Sequence, residues 1–343
     1  MYYIINKELK MKAKLVMTLA AATMILAGCN NDENEITDYW NGEIRLTSGV
    51  TVQQTRANNS DVPDKQIADG QTVYTWVDKA TAPDATEYIK AWSLTAQGDG
   101  TFTGSSQYYP TDGSNLDFYA MHVNSTFAEG TSTFPTSAIT HTVAADQSTN
   151  LGTAYLNSDL LYGLKKGVAR SKNEVDLTFY HLLSKVEITL KQGAGKPALN
   201  RATVTIENTR LKAEFTPDKE ADINNTDVST AQTARAGLVT CPTEDNAPAP
   251  IKIATEVTND FSSATYAAAI IVPQTVAADT KFIKVALEDG GTFYYKIPTG
   301  DLTFQSGKKY QYNITVNQTG LTVTSEIKDW ETVGAITGNA EME

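Results

Sequence analysis

Few side chains of this sequence are arranged for catalysis or metal binding. His122, His141 and His181 are far apart, and none of them lies in a HExxH pattern. Cys241 is the one thiol left once Cys29, discussed below, is set aside. A zinc site needs three or four such ligands, usually at short spacing. We therefore predict no metal site, and we interpret Cys241 as a buried or unreactive thiol.

The glycine-rich stretch Gln192–Pro197 is the nearest approach to a phosphate-binding loop. Leu190 stands where the first glycine of that motif belongs, and Pro197 replaces the serine or threonine that would hold magnesium. We interpret the stretch as a hairpin loop. No G-x-S-x-G elbow and no nucleophile with a partner base is found. The sequence predicts no enzyme and no cofactor, although a glycosidase pair among the many carboxylates stays open.

Composition and charge narrow the class of protein further. With 41% hydrophobic residues, the chain has enough apolar side chains to form a buried core. Its 22 glycines and 11 prolines are too few for a low-complexity or fibrous chain. Its 28 basic and 40 acidic side chains give a net charge of -12. That charge repels phosphate backbones, so no nucleic-acid partner is expected.

The N-terminus carries the pattern of a lipoprotein signal peptide, which we assign to residues 1–28. Lysines precede the apolar run Leu15–Leu26, which is too short to span a bilayer. The run ends in Leu26–Cys29, which resembles the bacterial lipobox, so Cys29 is predicted to become the lipidated N-terminus. Met11 is an alternative start, and an ordinary secretory signal is the alternative interpretation.

Residues 29–42 follow as an acidic tether. The stretch Asn30–Glu35 contains no side chain that would join a core. It resembles the signal that sends lipoproteins to the outer face of the outer membrane. A merely solvated linker is the alternative.

The rest of the chain has the residue pattern of an all-β protein. Threonine occurs 47 times and tyrosine 16 times. Lys185–Leu190 and Ala202–Glu207 alternate with period two, as half-buried strands do. Lys284–Ile297 predicts a hairpin that turns at Glu288–Gly291. The apolar run Ala267–Val272 predicts a central strand buried on both faces.

We expect two tandem antiparallel β-sandwich domains, at residues 43–172 and 173–343. The mature chain exceeds the roughly 100 residues of one sandwich, and the stretch Lys165–Asn173 is the expected joint. Helix is predicted to be sparse. A turn or short helix is expected at Leu151–Leu161 or at Ala82–Ile89.

A group of short motifs resembles the Bacteroidia-type fimbrillin family, also called type V pilins. They are the lipobox at Cys29, Thr55–Ala57, the block Val175–Val186, the block Phe304–Tyr312, and Ile327–Trp330. The resemblance implies a lipoprotein exported to the cell surface with two transthyretin-like β-sandwich domains. It further implies removal of an N-terminal segment by an arginine-specific protease, and polymerisation with other fimbrillin subunits by β-strand exchange.

The first strand fits that scheme as a removable element, residues 43–56. Its apolar residues alternate onto one face, with Ser48 at the midpoint; they are Ile44, Leu46, Val50 and Val52. Cleavage between Arg56 and Ala57 would free the strand and leave unpaired backbone that accepts another strand. The mature chain has six arginines, so Arg56 is a selective target. The alternative is a solvated arginine after an ordinary first strand.

The donor strand is predicted within residues 321–336. Leu321, Val323, Ser325 and Ile327 repeat the spacing of the first strand, and Trp330 closes the run. The alternatives are an ordinary edge strand of the C-terminal sandwich and, for Trp330, a core anchor.

Two other roles in the same family stay open. A tip adhesin or surface lipoprotein would bind host glycan or protein, with Tyr108, Tyr109 and the loop 124–150 as candidate contacts. An anchor would keep its palmitate-type lipid in the outer membrane and end the fimbria.

Overall fold

The structure, a computed structural model, describes residues 40–50, 66–80, 86–149, 152–221, 237–253, 255–256, 263–288, 290–330 and 335–339. The chain divides into two units, residues 1–41 and 42–343. Only Trp40 and Asn41 of the first unit are described. The predicted signal peptide, Cys29 and nearly all of the tether therefore lie outside the described residues.

Short strands make up most of the described chain. In chain order the first are β1 (Leu46–Val50), β2 (Thr72–Lys79), β3 (Thr86–Ala96), β4 (Phe102–Gly104), β5 (Leu116–His122), β6 (Ile139–Thr142), β7 (Asp146–Gln147), β8 (Leu161–Val168), β9 (Val175–His181), β10 (Ser184–Gln192), β11 (Thr203–Thr209) and β12 (Lys212–Pro217). They are followed by β13 (Gly237–Thr240), β14 (Ala249–Ile253), β15 (Thr255–Glu256), β16 (Ser263–Ile271), β17 (Thr275–Val276), β18 (Lys281–Ala286), β19 (Thr292–Lys296), β20 (Leu302–Thr303), β21 (Lys308–Asn317), β22 (Gly320–Asp329) and β23 (Ala335–Asn339). The predicted all-β class is confirmed.

A seven-stranded sheet occupies the N-terminal half, in the order β1-β9-β8-β5-β2-β3-β4. Both of its faces are buried at the centre: Trp76 and Tyr119 lie on one face, and Val77 and Phe118 on the other. Alternation along each strand explains this, because neighbouring side chains point to opposite faces. The expected helical turn at Ala82–Ile89 is wrong where it is described, because β3 begins at Thr86.

The C-terminal half contains a six-stranded sheet, β15-β16-β10-β21-β22-β23, and a five-stranded sheet, β19-β18-β11-β14-β7. Their inward side chains belong to one buried cluster, as in a sandwich. The predicted strand at Ala267–Val272 is confirmed as buried on both faces, since successive residues of β16 from Ala268 to Ile271 are all buried. It pairs with β10 along this stretch, while β15 pairs with β16 only at Thr265 and Tyr266. The predicted hairpin at Lys284–Ile297 is confirmed as β18 and β19. Two small sheets, β13-β12-β6 and β17-β20, complete the fold.

The pairing is mostly antiparallel, as expected, and a few pairs of strands are parallel. Among the described strands, β1 runs parallel to β9, β10 to β21, and β14 to β7. Period-two alternation is the same in parallel and antiparallel strands, so it carries no information on direction. Parallel neighbours need long crossover connections, and here other strands lie between the members of each pair.

Gln192 ends β10 and residues 193–197 form a loop, but the hairpin interpretation is wrong, because β10 and β11 belong to different sheets. Its backbone N–H groups are used within the fold. Gly193 donates to the carbonyl of Val316 at 2.9 Å, and Ala194 donates to Oδ1 of Asn317 at 2.9 Å. The short helix α1 (Thr153–Leu156) confirms the turn expected near residues 151–161.

Strands change sheet between His181 and Ser184, close to the predicted domain boundary at 172/173. Other contacts cross that point. The buried amide of Gln147, in β7, donates to the carbonyl of Ile270 at 2.8 Å and accepts from its N–H at 2.9 Å. The division into two domains stays a prediction. No helix in the described part of the chain is long and apolar enough to cross a bilayer.

Candidate functional site

The first strand lies against β9 in a parallel pairing. Leu46 is the register partner of Val175, and Val50 is that of Phe179. The N–H of Val175 also donates to the carbonyl of Arg45 at 2.8 Å. Strand β1 is the last in its sheet on this side, so β9 depends on it for its outer row of backbone hydrogen bonds.

The other side of the first strand contacts the segment around β4, which is the opposite edge of the same sheet. Ile44 donates to the carbonyl of Gln107 at 2.7 Å, and Ser48 donates to that of Gly100 at 2.8 Å. Antiparallel bridges join Thr47 with Thr101 and Glu43 with Tyr108. The first strand thus links the two edges of the seven-stranded sheet. We call the space that it fills, between β9 and residues 100–108, the strand slot.

One face of the first strand is buried in the strand slot. Ile44, Leu46 and Ser48 are 3%, 6% and 7% exposed. Their neighbours on β9, Val175 and Leu177, are also buried. Burying one Leu or Ile side chain contributes about 1.5–3 kcal/mol, so the strand is held by apolar contact as well as by its hydrogen bonds.

Gly100 sets the width of the strand slot at its midpoint. A Cβ atom there would lie 3.0 Å from the carbonyl oxygen of Ser48, and the backbone has a φ of +92° that favours glycine. The Ser48 hydroxyl donates to the Gly100 carbonyl at 3.5 Å. A small polar side chain therefore suits position 48, where strict alternation would place an apolar residue.

The sequence-predicted residues of the processing site are only partly described. Val50 is the last residue of β1. Val52, Arg56 and Ala57 lie outside the described residues. Cleavage after Arg56 stays a prediction.

The C-terminal segment lies inside its own sheet. Strand β22 pairs with β21 on one side and β23 on the other, so the alternative of an edge strand is wrong for β22; the edge is β23. Leu321 and Val323 are buried, and Ile327 packs against the core while partly exposed. The alternation of residues 321–327 predicted which face of β22 is buried, but it did not predict that β23 pairs with the outer edge of β22.

Trp330 is a buried core anchor, as one interpretation of the sequence predicted. Its indole stacks on the imidazole of His181, with ring centroids 3.8 Å apart and planes 8° from parallel. Nδ1 of His181 lies 2.8 Å from Oδ2 of Asp159. His181 ends β9, so this stack ties the end of the C-terminal segment to the strand that carries β1. Sequence reasoning missed the pairing because the two residues are far apart in the chain.

The remaining residues singled out in the sequence, the candidate ligand contacts Tyr108 and Tyr109 and the thiol Cys241, differ in how exposed they are. Tyr108 is 44% exposed and its carbonyl accepts from the Tyr88 hydroxyl at 2.8 Å, whereas Tyr109 is buried. Burial raises the pKa of the half-buried Cys241 thiol, which disfavours the reactive thiolate. Within the described residues no three His, Cys, Asp or Glu side chains are grouped for a metal ion.

These sheets and the inserted first strand define an all-β protein of sandwich type. The family model for fimbrillin-like proteins matches residues 55–330. The chain belongs to the fimbrillin-like family.

Its relatives include a protein of Bacteroides uniformis named "Putative fimbrium subunit Fim1C". The two sequences are 25% identical over 347 residues, which cover 96% of this chain and 100% of that protein. Two crystal structures of proteins described as "putative cell adhesion protein" share the fold. The one from Bacteroides ovatus has a TM-score of 0.58 at 20% identity, covering 85% of this chain and 99% of its own. The one from Bacteroides uniformis has a TM-score of 0.55 at 20% identity, with the same coverage.

Proposed function

We propose that this chain is a structural, non-enzymatic subunit of a cell-surface fimbria that assembles by β-strand exchange. Membership of the fimbrillin-like family and similarity to a named fimbrium subunit support the fimbrial role. The observation that carries the mechanism is the first strand, which bridges the two edges of one sheet.

Export and processing precede assembly in this proposal. Cys29 receives the lipid, which holds the subunit at the outer membrane through the tether 29–42. An arginine-specific protease then cuts between Arg56 and Ala57. The removed segment includes residues 43–56, and with it the whole of β1.

Removal of the first strand leaves two unsatisfied rows of backbone groups. One row belongs to β9 and the other to residues 100–108, which now lack their partner between them. The apolar side chains that Ile44 and Leu46 covered are exposed as well. An unpaired, apolar strand edge favours the addition of a strand from another chain.

The donor in this proposal is the segment 321–336 of the next subunit. Leu321, Val323, Ser325 and Ile327 place a small polar side chain at the third position, as Ser48 does in the first strand. The small side chain of Ser325 would then lie at the narrow point of the strand slot, next to Gly100. Because β22 is paired within its own sheet, donation requires it to exchange those partners for the two edges of the strand slot.

The two halves have separate tasks in the proposal. The seven-stranded sheet accepts the incoming strand; it draws most of its strands from the predicted domain 43–172 but includes β9 from the predicted domain 173–343. The segment 321–336 of the domain 173–343 provides the donor. Transthyretin-like topology for each half belongs to the same proposal.

A second candidate function is adhesion at the fimbrial tip. Tyr88 and Tyr108 are large aromatic side chains that are 36% and 44% exposed and lie close together. Aromatic surfaces of this kind suit host glycan or protein ligands. The two functions differ in their requirement for cleavage, because ligand binding does not need the first strand to leave.

The test is limited digestion of purified residues 30–343 with an arginine-specific protease. We expect a product that begins at Ala57, identified by mass, and fibres or ladders of subunits in electron micrographs. The matched control is Arg56→Gln, which should stay whole at that site and monomeric. A product that begins at Ala57 yet stays monomeric would refute the structural-subunit proposal in favour of an adhesin. An Arg56 bond that resists the protease would instead favour an anchor that keeps its lipid.

A further inference from the structure

A lysine and an aspartate are held together in a partly shielded position away from the strand slot. Asp78, near the end of β2, is 3% exposed, and its Oδ2 accepts from Nζ of Lys219 at 2.6 Å. Lys219 lies in the turn that follows β12, and its Nζ is 4.9 Å from the ring centroids of both Tyr119 and Phe134. The pair therefore joins two segments that are far apart in the chain, beside aromatic rings that limit its contact with water.

Two further carboxyl groups flank Asp78 on the neighbouring strands. Asp117 of β5 and Glu87 of β3 are its register partners. Side chains directly opposite each other in a sheet point to the same face, with Cβ atoms about 4.5–5.5 Å apart. Oδ1 of Asp78 is buried and has no hydrogen-bond partner in the described part of the chain. Like charges this close repel, and a proton held on one of the three carboxyls would relieve that repulsion.

Asp117 is the flanking carboxyl best placed to move a proton beside the pair. It is buried, and its Oδ1 accepts from the N–H of Gly167 at 2.6 Å, which fixes its position. Glu87 is engaged at both oxygens, because Oε1 accepts from the N–H of Phe134 at 3.0 Å and Oε2 lies 3.2 Å from Nζ of Lys90. Proton transfer is therefore assigned to Asp117.

We propose that Lys219 and Asp78 form an isopeptide bond, a covalent amide between their side chains. The ammonium first gives a proton to the Asp78 carboxylate, because neither charge is fully solvated here and the neutral amine and acid are less disfavoured than in water. The Nζ lone pair then forms a bond to Cγ, and the carbonyl electron pair moves to the oxygen. Asp117 takes a proton from the nitrogen and gives it to the hydroxyl. The C–O bond breaks, the carbonyl re-forms, and one water leaves.

The atoms that would react are already close together. Because a carboxyl C–O bond is about 1.2 Å long, a nitrogen 2.6 Å from Oδ2 lies at most about 3.8 Å from Cγ. Productive approach distances are about 3–3.5 Å. A hydrogen bond favours the plane of the carboxyl group, whereas attack on the carbon comes from above that plane. The Cβ–Cγ torsion of aspartate has a broad range, so rotation of the carboxyl supplies this approach.

A second lysine–aspartate pair of nearly equal length provides an internal control. Nζ of Lys79 lies 2.7 Å from Oδ2 of Asp112, but the Asp112 side chain is 52% exposed. Hydrogen bonds from Lys79 and Ser114 lower the pKa of Asp112, which keeps it a carboxylate. A solvated carboxylate is a poor electrophile, so we expect no amide between Lys79 and Asp112.

The test is mass spectrometry of purified residues 30–343. We expect an intact mass lower than that of the sequence by the mass of one water. Trypsin should release a branched peptide that joins residues 66–79 with residues 213–235, because it does not cut after an acylated Lys219. A peptide in which Lys79 is joined to Asp112 should be absent.

Three variants assign the roles, each checked for an unchanged fold by circular dichroism. Lys219→Arg keeps the positive charge and removes the amine, so the branched peptide should be lost. Asp117→Asn keeps an oxygen for the Gly167 N–H but cannot carry the proton. Its bond should form about a hundredfold more slowly, measured as the branched fraction at set times after synthesis. The matched control is Lys166→Arg, which changes the lysine paired with Glu220 beside Lys219 and should leave the branched fraction unchanged.

Two results would overturn the proposal or its assignment. An intact mass equal to that of the sequence, with separate peptides 66–79 and 213–219, would show that the pair is only an ion pair. Equal rates of bond formation in the parent and in Asp117→Asn would remove Asp117 from the reaction. Neither result depends on cleavage after Arg56 or on fibre formation, so failure here is distinct from failure of the fimbrial proposal.

Discussion

Ser48 explains why a strand with a broken apolar pattern can still fit tightly. The Ser48 hydroxyl donates to the carbonyl of Gly100, and a Cβ atom at position 100 would lie 3.0 Å from the Ser48 carbonyl oxygen, so the two segments are in close contact here. The sequence supplied the alternation of Ile44 and Leu46, and both are buried as that pattern predicted. The reason for serine at the midpoint was not readable, because Gly100 lies in a loop without periodicity.

His141 makes the clearest prediction at the residue scale. It is fully buried, Nε2 donates to the Ser158 carbonyl at 3.0 Å, and Nδ1 accepts from the N–H of Asn124 at 3.4 Å. Burial lowers its pKa from 6.5 to about 4. The unfolded chain takes up a proton near pH 6.5 that the folded chain refuses until about pH 4. The free energy of unfolding must therefore fall as the pH drops across this window.

The measurement compares urea unfolding of the parent and of His141→Asn at pH 7 and pH 4.5. The parent should lose roughly 2–3 kcal/mol more than the variant over this interval. Carboxylates also titrate there, but they are common to both proteins and cancel in the difference. Identical losses in the two proteins would mean that His141 is accessible to protons in the folded state.

At the scale of elements, the pattern predicted strands well and their partners poorly. The hairpin β18–β19 is local, and its turn residues identify it from the sequence alone. The pairing of β1 with β9, and of β22 with β23, depends on contacts that period-two alternation does not encode. The buried face of the first strand could thus be predicted from the sequence. The contact of that strand with residues 100–108, the second wall of the strand slot, could not.

Locking the first strand in place tests its role as an element. Thr47 and Thr101 face each other in an antiparallel bridge that the Ser48–Gly100 hydrogen bond flanks. Such non-hydrogen-bonded pairs bring Cα atoms to about 4.5 Å, a distance within the range of a disulfide. The variant Thr47→Cys with Thr101→Cys, in a Cys241→Ala background, should be cut after Arg56 but should not polymerise until it is reduced.

The control for the lock is Thr101→Cys alone in the same background, which should assemble with or without reductant. Assembly of the oxidised double variant at the rate of this control would show that the first strand need not leave. The disulfide leaves the buried side chains Ile44, Leu46 and Ser48 unchanged. A folding defect is therefore not expected to cause the loss of polymerisation.

At the scale of the whole molecule, the chain carries a net charge of -12, and the proposed removal of residues 1–28 would take away four lysines and one glutamate. Subunits processed as proposed would therefore repel one another over distances comparable to the Debye length. The short-range backbone and apolar contacts of strand exchange must overcome that repulsion at each addition.

Salt should consequently accelerate assembly of the cleaved subunit. We expect the rise in light scattering at about 0.15 M salt to be faster than at about 0.01 M, because the Debye length falls from roughly 30 Å to 8 Å. The oxidised locked variant provides the baseline at both concentrations. Slower assembly at the higher salt concentration would indicate that attraction between opposite charges drives the contact.

The central claim is that the strand slot accepts a donor strand only after the first strand is gone. The most direct measurement is fluorescence anisotropy of a labelled peptide of residues 321–336, titrated with residues 57–343 and with residues 43–343. We predict binding to the shorter chain only, and displacement of the bound label by an unlabelled peptide of residues 43–56. Equal binding to both chains, or no binding to the shorter one, would contradict the account.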